Sequence, residues 1–142
     1  MPASGYVEEL LGVRGCALVG SSMEIDKGRR LQTFSLSFCG HVPQDCPQCG
    51  GNLHSHGTRS MTVAATPHLG APAKLAIEFP RMRCSACGFV WRPDIGGVDE
   101  SHRMTEAAYA DIAQRSLRLT FREVADEYPL SHVTVKNVFE DF

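Results

Sequence analysis

Cys46-Pro-Gln-Cys49-Gly and Cys84-Ser-Ala-Cys87-Gly share one spacing and one trailing glycine, with 34 residues between the pairs. Two residues between thiolates let both sulfurs of a tight turn face a single ion, and Gly50 and Gly88 allow the backbone conformation that such a knuckle needs. Read together, Cys46, Cys49, Cys84 and Cys87 form one Zn²⁺ site. Four thiolates close the tetrahedron and leave no position for water, so the site is structural and not catalytic. Disulfides or a thioredoxin-like redox pair are the other readings. The opening residues show no signal-peptide pattern, and a redox pair is expected once, at a strand-to-helix junction, not twice in matched form. His54 and His56 lie close to Cys49, but with four sulfurs already available they read as solvated loop histidines, with Ser55, His56 and Arg59 forming a polar surface.

The chain has 142 residues, 43% hydrophobic and 21% charged, which places it among soluble globular proteins of one domain or two small ones. It contains no apolar run near the ~18 residues of a membrane span, so a cytoplasmic, nucleoid-associated protein is expected, with no membrane and no small-molecule substrate as partner. A formal charge of -2 argues weakly against nucleic-acid binding, but charge is unevenly spread. Residues 46–93 hold Arg59, Lys74, Arg81, Arg83 and Arg92 against Glu78 alone, whereas 102–142 are mildly acidic.

Hydropathy patterning then supplies the elements. An apolar stretch at 7–13 precedes two alternating runs, about 16–25 and 31–39, with turn residues Asp26-Lys27-Gly28 between them, which predicts a β-hairpin. Phe34, Leu36 and Phe38 share one of its faces. Cys16 and Cys39 fall inside these runs and read as buried, inert thiols. Met61 and Val63 belong to a further strand, residues 66–73 with Pro67, Gly70 and Pro72 read as a loop, and Leu75, Ile77 and Phe79 face inward from the next strand. Pro80 marks an edge or a bulge, which would let Arg81 and Arg83 reach solvent. Phe89 and Trp91 are expected to cover the metal-bound turns. The predicted fold is α+β: an N-terminal β-hairpin region (1–45), a zinc-ribbon-like region (46–93), an acidic linker (94–101) and a three-helix helix-turn-helix (102–142).

In that last segment the period becomes 3.6. Ser101 or Thr105 can cap a first helix lined by Tyr109, Ile112, Ala113 and Leu117. Thr120 and Glu123 form a capping box for a second, with Phe121, Val124, Ala125 and Tyr128 as its stripe. Pro129 stops it, and Ser131 caps a third in which Val135, Val138, Phe139 and Phe142 recur. The second helix of such a pair can lie in a major groove. Ser131, His132, Thr134, Lys136 and Asn137 are its candidate reading residues, asparagine being able to bond both N6 and N7 of adenine. Arg115, Arg118 and Arg122, with Arg59, Arg81 and Arg83, are candidates for phosphates. A helical hairpin that only packs against another domain is the competing reading.

These features occur in an order that resembles the N-terminal part of bacterial insertion-sequence transposases of the ISL type. The likeness rests on the two knuckles, His56 and Arg59, the Pro/Gly segment 67–72, the Arg81-Met-Arg83-Cys84 approach, and the stretches 121–125 and 131–139. It implies double-stranded DNA as partner, recognition of terminal inverted repeats, and a DDE catalytic domain elsewhere in such proteins. Asp94, Asp99 and Glu100 sit in the expected linker and make no two-metal site, so this chain itself is expected not to be an enzyme. A protein-interaction or assembly module is the alternative function, and a homo-oligomer is the further partner considered.

Overall fold

The computed structural model describes residues 7–142, so residues 1–6 of the expected hairpin region lie outside the described residues. The first alternating runs become β1 (Cys16–Asp26) and β2 (Arg29–Phe38), paired antiparallel from Cys16↔Phe38 to Asp26↔Arg29. Lys27 and Gly28 close this hairpin with φ of 53° and 80°, the left-handed pair of a two-residue turn that matches strand twist. A second, longer hairpin consists of β3 (Leu53–His68) and β4 (Ala71–Cys84).

The loop expected at 66–73 is corrected by the structure. Both strands run through it, and Leu69 and Gly70, at φ 51° and 78°, turn the chain in two residues. Pro67 is tolerated because it falls in the register shift between Ala65 and His68, where the ladder is interrupted. Pro80 behaves as its chemistry requires. It follows Glu78, the last β4 residue paired to β2, and lies opposite a register shift between Ser55 and Thr58 on β3.

Parallel pairing of β2 with β4, from Gln32↔Ala73 to Ser37↔Glu78, joins the hairpins into one sheet. Its order is β1-β2-β4-β3-β7-β6, where β6 is Val98–Asp99 and β7 is Met104–Thr105, and β5 (Val90–Trp91) pairs with β4. One apolar face carries Phe34, Leu36, Val63, Leu75 and Ile77, and a π-helical turn, Val7–Leu11, covers it together with Val13 and Ile95. Gly97 packs so closely on this N-terminal segment that a Cβ would stand 1.9 Å from the Gly12 carbonyl oxygen. Cys16 is buried, which pushes its thiol up to about 11, with Cys39 nearby adding to the effect, whereas Cys39 is exposed and not the buried thiol expected.

The mostly β N-terminal region and the C-terminal helices bear out an α+β class. Helices α1 (Glu106–Arg115) and α3 (His132–Asp141) have ten residues each, and α2 (Phe121–Ala125) has five. Each begins on a hydroxyl cap. Thr105 accepts from the Ala108 amide, Thr120 and Glu123 complete both bonds of the capping box, and Ser131 accepts from the Thr134 amide. Ile112, Ala113, Val124, Tyr128, Val135 and Val138 pack into a second core that meets the sheet at Ala64 and Met104. Leu117, expected on the buried side of α1, is exposed because the helix ends at Arg115.

Candidate metal centre and nucleic-acid interface

Both knuckles are built alike. The Gly50 amide donates to the Cys46 carbonyl at 2.9 Å and the Gly88 amide to the Cys84 carbonyl at 3.0 Å, each glycine standing near φ 77° at 76° and 78°. Amides of Gln48, Gly51 and Cys87 point at Cys46, Cys49 and Cys84 Sγ at 3.4, 3.4 and 3.5 Å. Such N–H donors stabilise negative charge on sulfur. The hairpin β3–β4 brings the pairs together by matching Leu53 to Cys84, next to the short bridge Asp45↔Asn52.

The four sulfurs lie within 4.8 Å of one another, near enough to hold a metal ion. Cys46 and Cys87 Sγ are 3.6 Å apart and Cys49 and Cys84 Sγ 3.4 Å. A tetrahedron with ~2.3 Å metal–sulfur bonds has edges of about 3.8 Å, so the cage has the size of a four-thiolate site. A Cβ at Gly51 would come within 3.2 Å of Cys84 Sγ and 3.3 Å of Cys49 Sγ, so backbone closes one side of the cage. Backbone donation from Cys87, then Ala86, holds the Cys84 thiol down at about 6, against the effect of burial. At Cys49 the Gly51 amide pulls the same way, but the sulfurs of Cys84 and Cys87 outweigh it and push the thiol up to about 12. Four thiols this close become thiolates together only when a cation offsets their repulsion. Leu53, Met82, Phe89 and Trp91 pack beside buried Cys46 and Cys84, the cover expected of Phe89 and Trp91.

The expected contact residues divide. Arg59 and Arg83 are exposed on β3 and β4. Arg81 is half-buried and donates to the His56 carbonyl at 3.3 Å, with its Nε buried and unpartnered, so the bulge absorbs it instead of freeing it. Arg115 is engaged by Asp111 at 3.0 Å and by Glu127. Arg118 and Arg122 are exposed and have no ion-pair partner among the described residues. On α3, His132, Lys136 and Asn137 are exposed opposite buried Val135 and Val138, Lys136 lying 3.8 Å from Glu140. Thr134 is half-buried, and Ser131 is occupied as the cap. His54 is exposed and His56 half-buried, away from any ligand role.

Arg29, at the start of β2, has a role no local pattern signals. Its guanidinium donates to the carbonyls of Ala125 at 3.2 Å, Asp126 at 2.6 Å and Tyr128 at 2.8 Å. The carbonyls of Ala125 and of the C-cap Asp126 end α2, where a cation is favoured, and that of Tyr128 lies in the turn beyond it. The hairpin is thereby latched to the turn that precedes α3.

His102 fastens the other end of α3, its ring nitrogens lying 2.9 Å from Asp99 and 2.9 Å from Asp141. Hydrogen bonding to Asp141 and then Asp99 raises its pKa above the ordinary 6.5. Because the folded value is the higher one, the clasp's contribution is complete below pH ~6.5 and is lost as pH rises through the folded value. Asp141 is well exposed, so solvent screening keeps the effect small. Thermal unfolding at pH 5.5 and pH 8 should show wild-type losing about 1–3 °C more than His102→Gln over that interval; equal losses would show that the clasp contributes nothing.

The fold sets a sheet whose four-cysteine cluster could hold a metal ion beside a C-terminal group of capped helices. Residues 93–142 match the family described as the helix-turn-helix domain of transposase family ISL3, and this region is of ISL3 transposase type. No curated protein and no solved structure matches the chain. No helix among the described residues is long and apolar enough to cross a membrane.

Proposed function

We propose that the chain is a zinc-stabilised reader of duplex DNA sequence that recognises the terminal inverted repeats of a mobile element, as the recognition part of a transposase whose DDE chemistry lies elsewhere. The observation that carries this reading is α3: capped by Ser131, seated by Val135 and Val138, and presenting His132, Lys136 and Asn137 outward within the region matched to the transposase family. The ion is read as zinc because soft thiolates in a closed tetrahedral set favour it. The sheet then serves as a support that carries Arg59 and Arg83 to the backbone.

Fluorescence anisotropy against terminal-repeat and scrambled duplexes over a salt series tests the proposal. Binding should fall linearly in log–log form as salt rises. Asn137→Ala should cost about 1–3 kcal/mol at particular base pairs, whereas Arg83→Ala should weaken every duplex alike. Binding that ignores salt, or an Asn137→Ala variant with unchanged sequence preference, would contradict it.

One observation favours an assembly role. Strand β1 is an outer strand of the sheet order and exposes Val19, Met23 and Ile25, an edge that a second copy could extend. Light scattering separates the readings: a stable oligomer formed without DNA, in a protein that retains no duplex, would favour assembly.

A further inference from the structure

The tip of the β1–β2 hairpin projects beside the start of α3, and a recess between them is lined by Lys27, Arg29 and Arg122 with Ser131, His132 and a single carboxylate, Asp126. Two features make that placement more than proximity. Arg29 spends its donors on three carbonyls, two at the end of α2 and one in the turn that follows, which fixes the hairpin relative to the helices. Lys27 holds φ 53°, a conformation lysine adopts reluctantly where asparagine or glycine would be at ease, and it does so exposed, without an ion-pair partner among the described residues. Of the β1 carboxylates, Asp26 directly precedes Lys27 but does not line the recess, and Glu24 is engaged by Lys74 at 3.5 Å.

We propose that the hairpin is a wing, in which Lys27 contacts duplex-DNA phosphate next to the reading end of α3 and Arg29 is the positioning residue that holds it there. The inference rests on the duplex-DNA reading above. When a recognition helix enters the major groove by its N-terminal residues, the phosphates of the groove wall run past that end, and a fixed cation there meets backbone and not base edges. Three cations facing one carboxylate give the recess the sign this partner requires.

Lys27→Asn is the discriminating variant. It removes the charge and creates the Asn-Gly turn this hairpin geometry favours, so weakened binding cannot be ascribed to a damaged fold. Anisotropy titrations of the full chain on terminal-repeat and scrambled duplexes should show the log K against log salt slope shallower by about 0.9, equivalent to about eightfold weaker binding at 0.1 M salt, equally on both duplexes. An unchanged slope and affinity in Lys27→Asn, with Asn137→Ala still losing its site preference, would overturn the wing alone. Absence of salt-dependent binding by the wild-type chain would overturn the wing together with the DNA reading.

Discussion

Replacement of Cys84 by serine, or removal of the metal by a chelator, is expected to melt the knuckle end of the sheet while the remainder of the fold persists. Cys84 ends β4, is 1% exposed and receives the Cys87 amide on its sulfur, so its loss removes a ligand and a packing element together. Apolar material near the cage is scarce: Cys46, Leu53 and Cys84 are the buried members, with Met82, Phe89 and Trp91 half-buried around them. Metal binding to four-ligand sites in small modules is worth about 10–16 kcal/mol at neutral pH, more than such a cluster supplies by burial. The damage should stop where the large core begins, since Val63, Leu75 and Ile77 pack with β2 and the 7–13 segment independently of the sulfurs. Trp91, the single tryptophan, sits against the cage and reports directly. Its emission should shift to the red on chelation, with amide exchange accelerating at 46–51 and 84–91 but not at 73–77. Unchanged emission and exchange after complete metal removal would remove the structural role assigned to the ion. Acidification should act similarly, because each ligand must be deprotonated to bind.

Local chemistry was readable. The knuckles announce themselves through spacing, the Lys27-Gly28 turn through its residue types, and the caps at Thr120 and Ser131 through hydroxyls placed before apolar stripes, whereas for the first helix the pattern offers Ser101 and Thr105 alike and the structure selects Thr105. Each depends on residues within a few positions of one another. What escaped was set by distant partners. Alternation in β2 shows which face is buried but not that its neighbour is β4, running parallel, because any strand of similar pattern satisfies the same periodicity. Arg29 and its carbonyl acceptors are separated by 96 to 99 residues, and its charge reads from sequence like that of any surface arginine. Arg81 illustrates the converse. A cation beside a proline bulge is expected to reach solvent, whereas the register shift on β3 offers Arg81 the His56 carbonyl. Prolines at 67 and 72 suggested a loop because a ladder normally excludes them, and one interrupted pair sufficed to admit Pro67 into a strand.

Truncation of Tyr128 to alanine is expected to be the most damaging single change in the helical half. Tyr128 is wholly buried among Ile112, Val124, Val135 and Val138, and its hydroxyl donates to Asp111, which in turn pairs with Arg115 at 3.0 Å. Burial, reinforced by that carboxylate, pushes the phenol well above its usual range, so it remains a donor at any physiological pH. Its backbone carbonyl also accepts from Arg29 at 2.8 Å, placing the residue where α1, the turn before α3 and the hairpin converge. Removing a large buried aromatic costs about 3–5 kcal/mol, a substantial part of a stability of about 5–15 kcal/mol. For a chain of this length that corresponds to a fall in Tm of about 10–15 °C, read from the helical circular dichroism signal. Tyr128→Phe separates the two contributions. It keeps the ring and loses only the bond to Asp111, so its cost should stay near 1 kcal/mol, or about 3 °C. Duplex binding should follow the same order, weakened severely in the alanine variant because α3 loses its seat and almost unchanged in the phenylalanine variant. A fall of less than about 3 °C for Tyr128→Ala would mean that α3 is held by Val135 and Val138 alone, with Tyr128 as filling and not as the joint between the sheet's hairpin and α3.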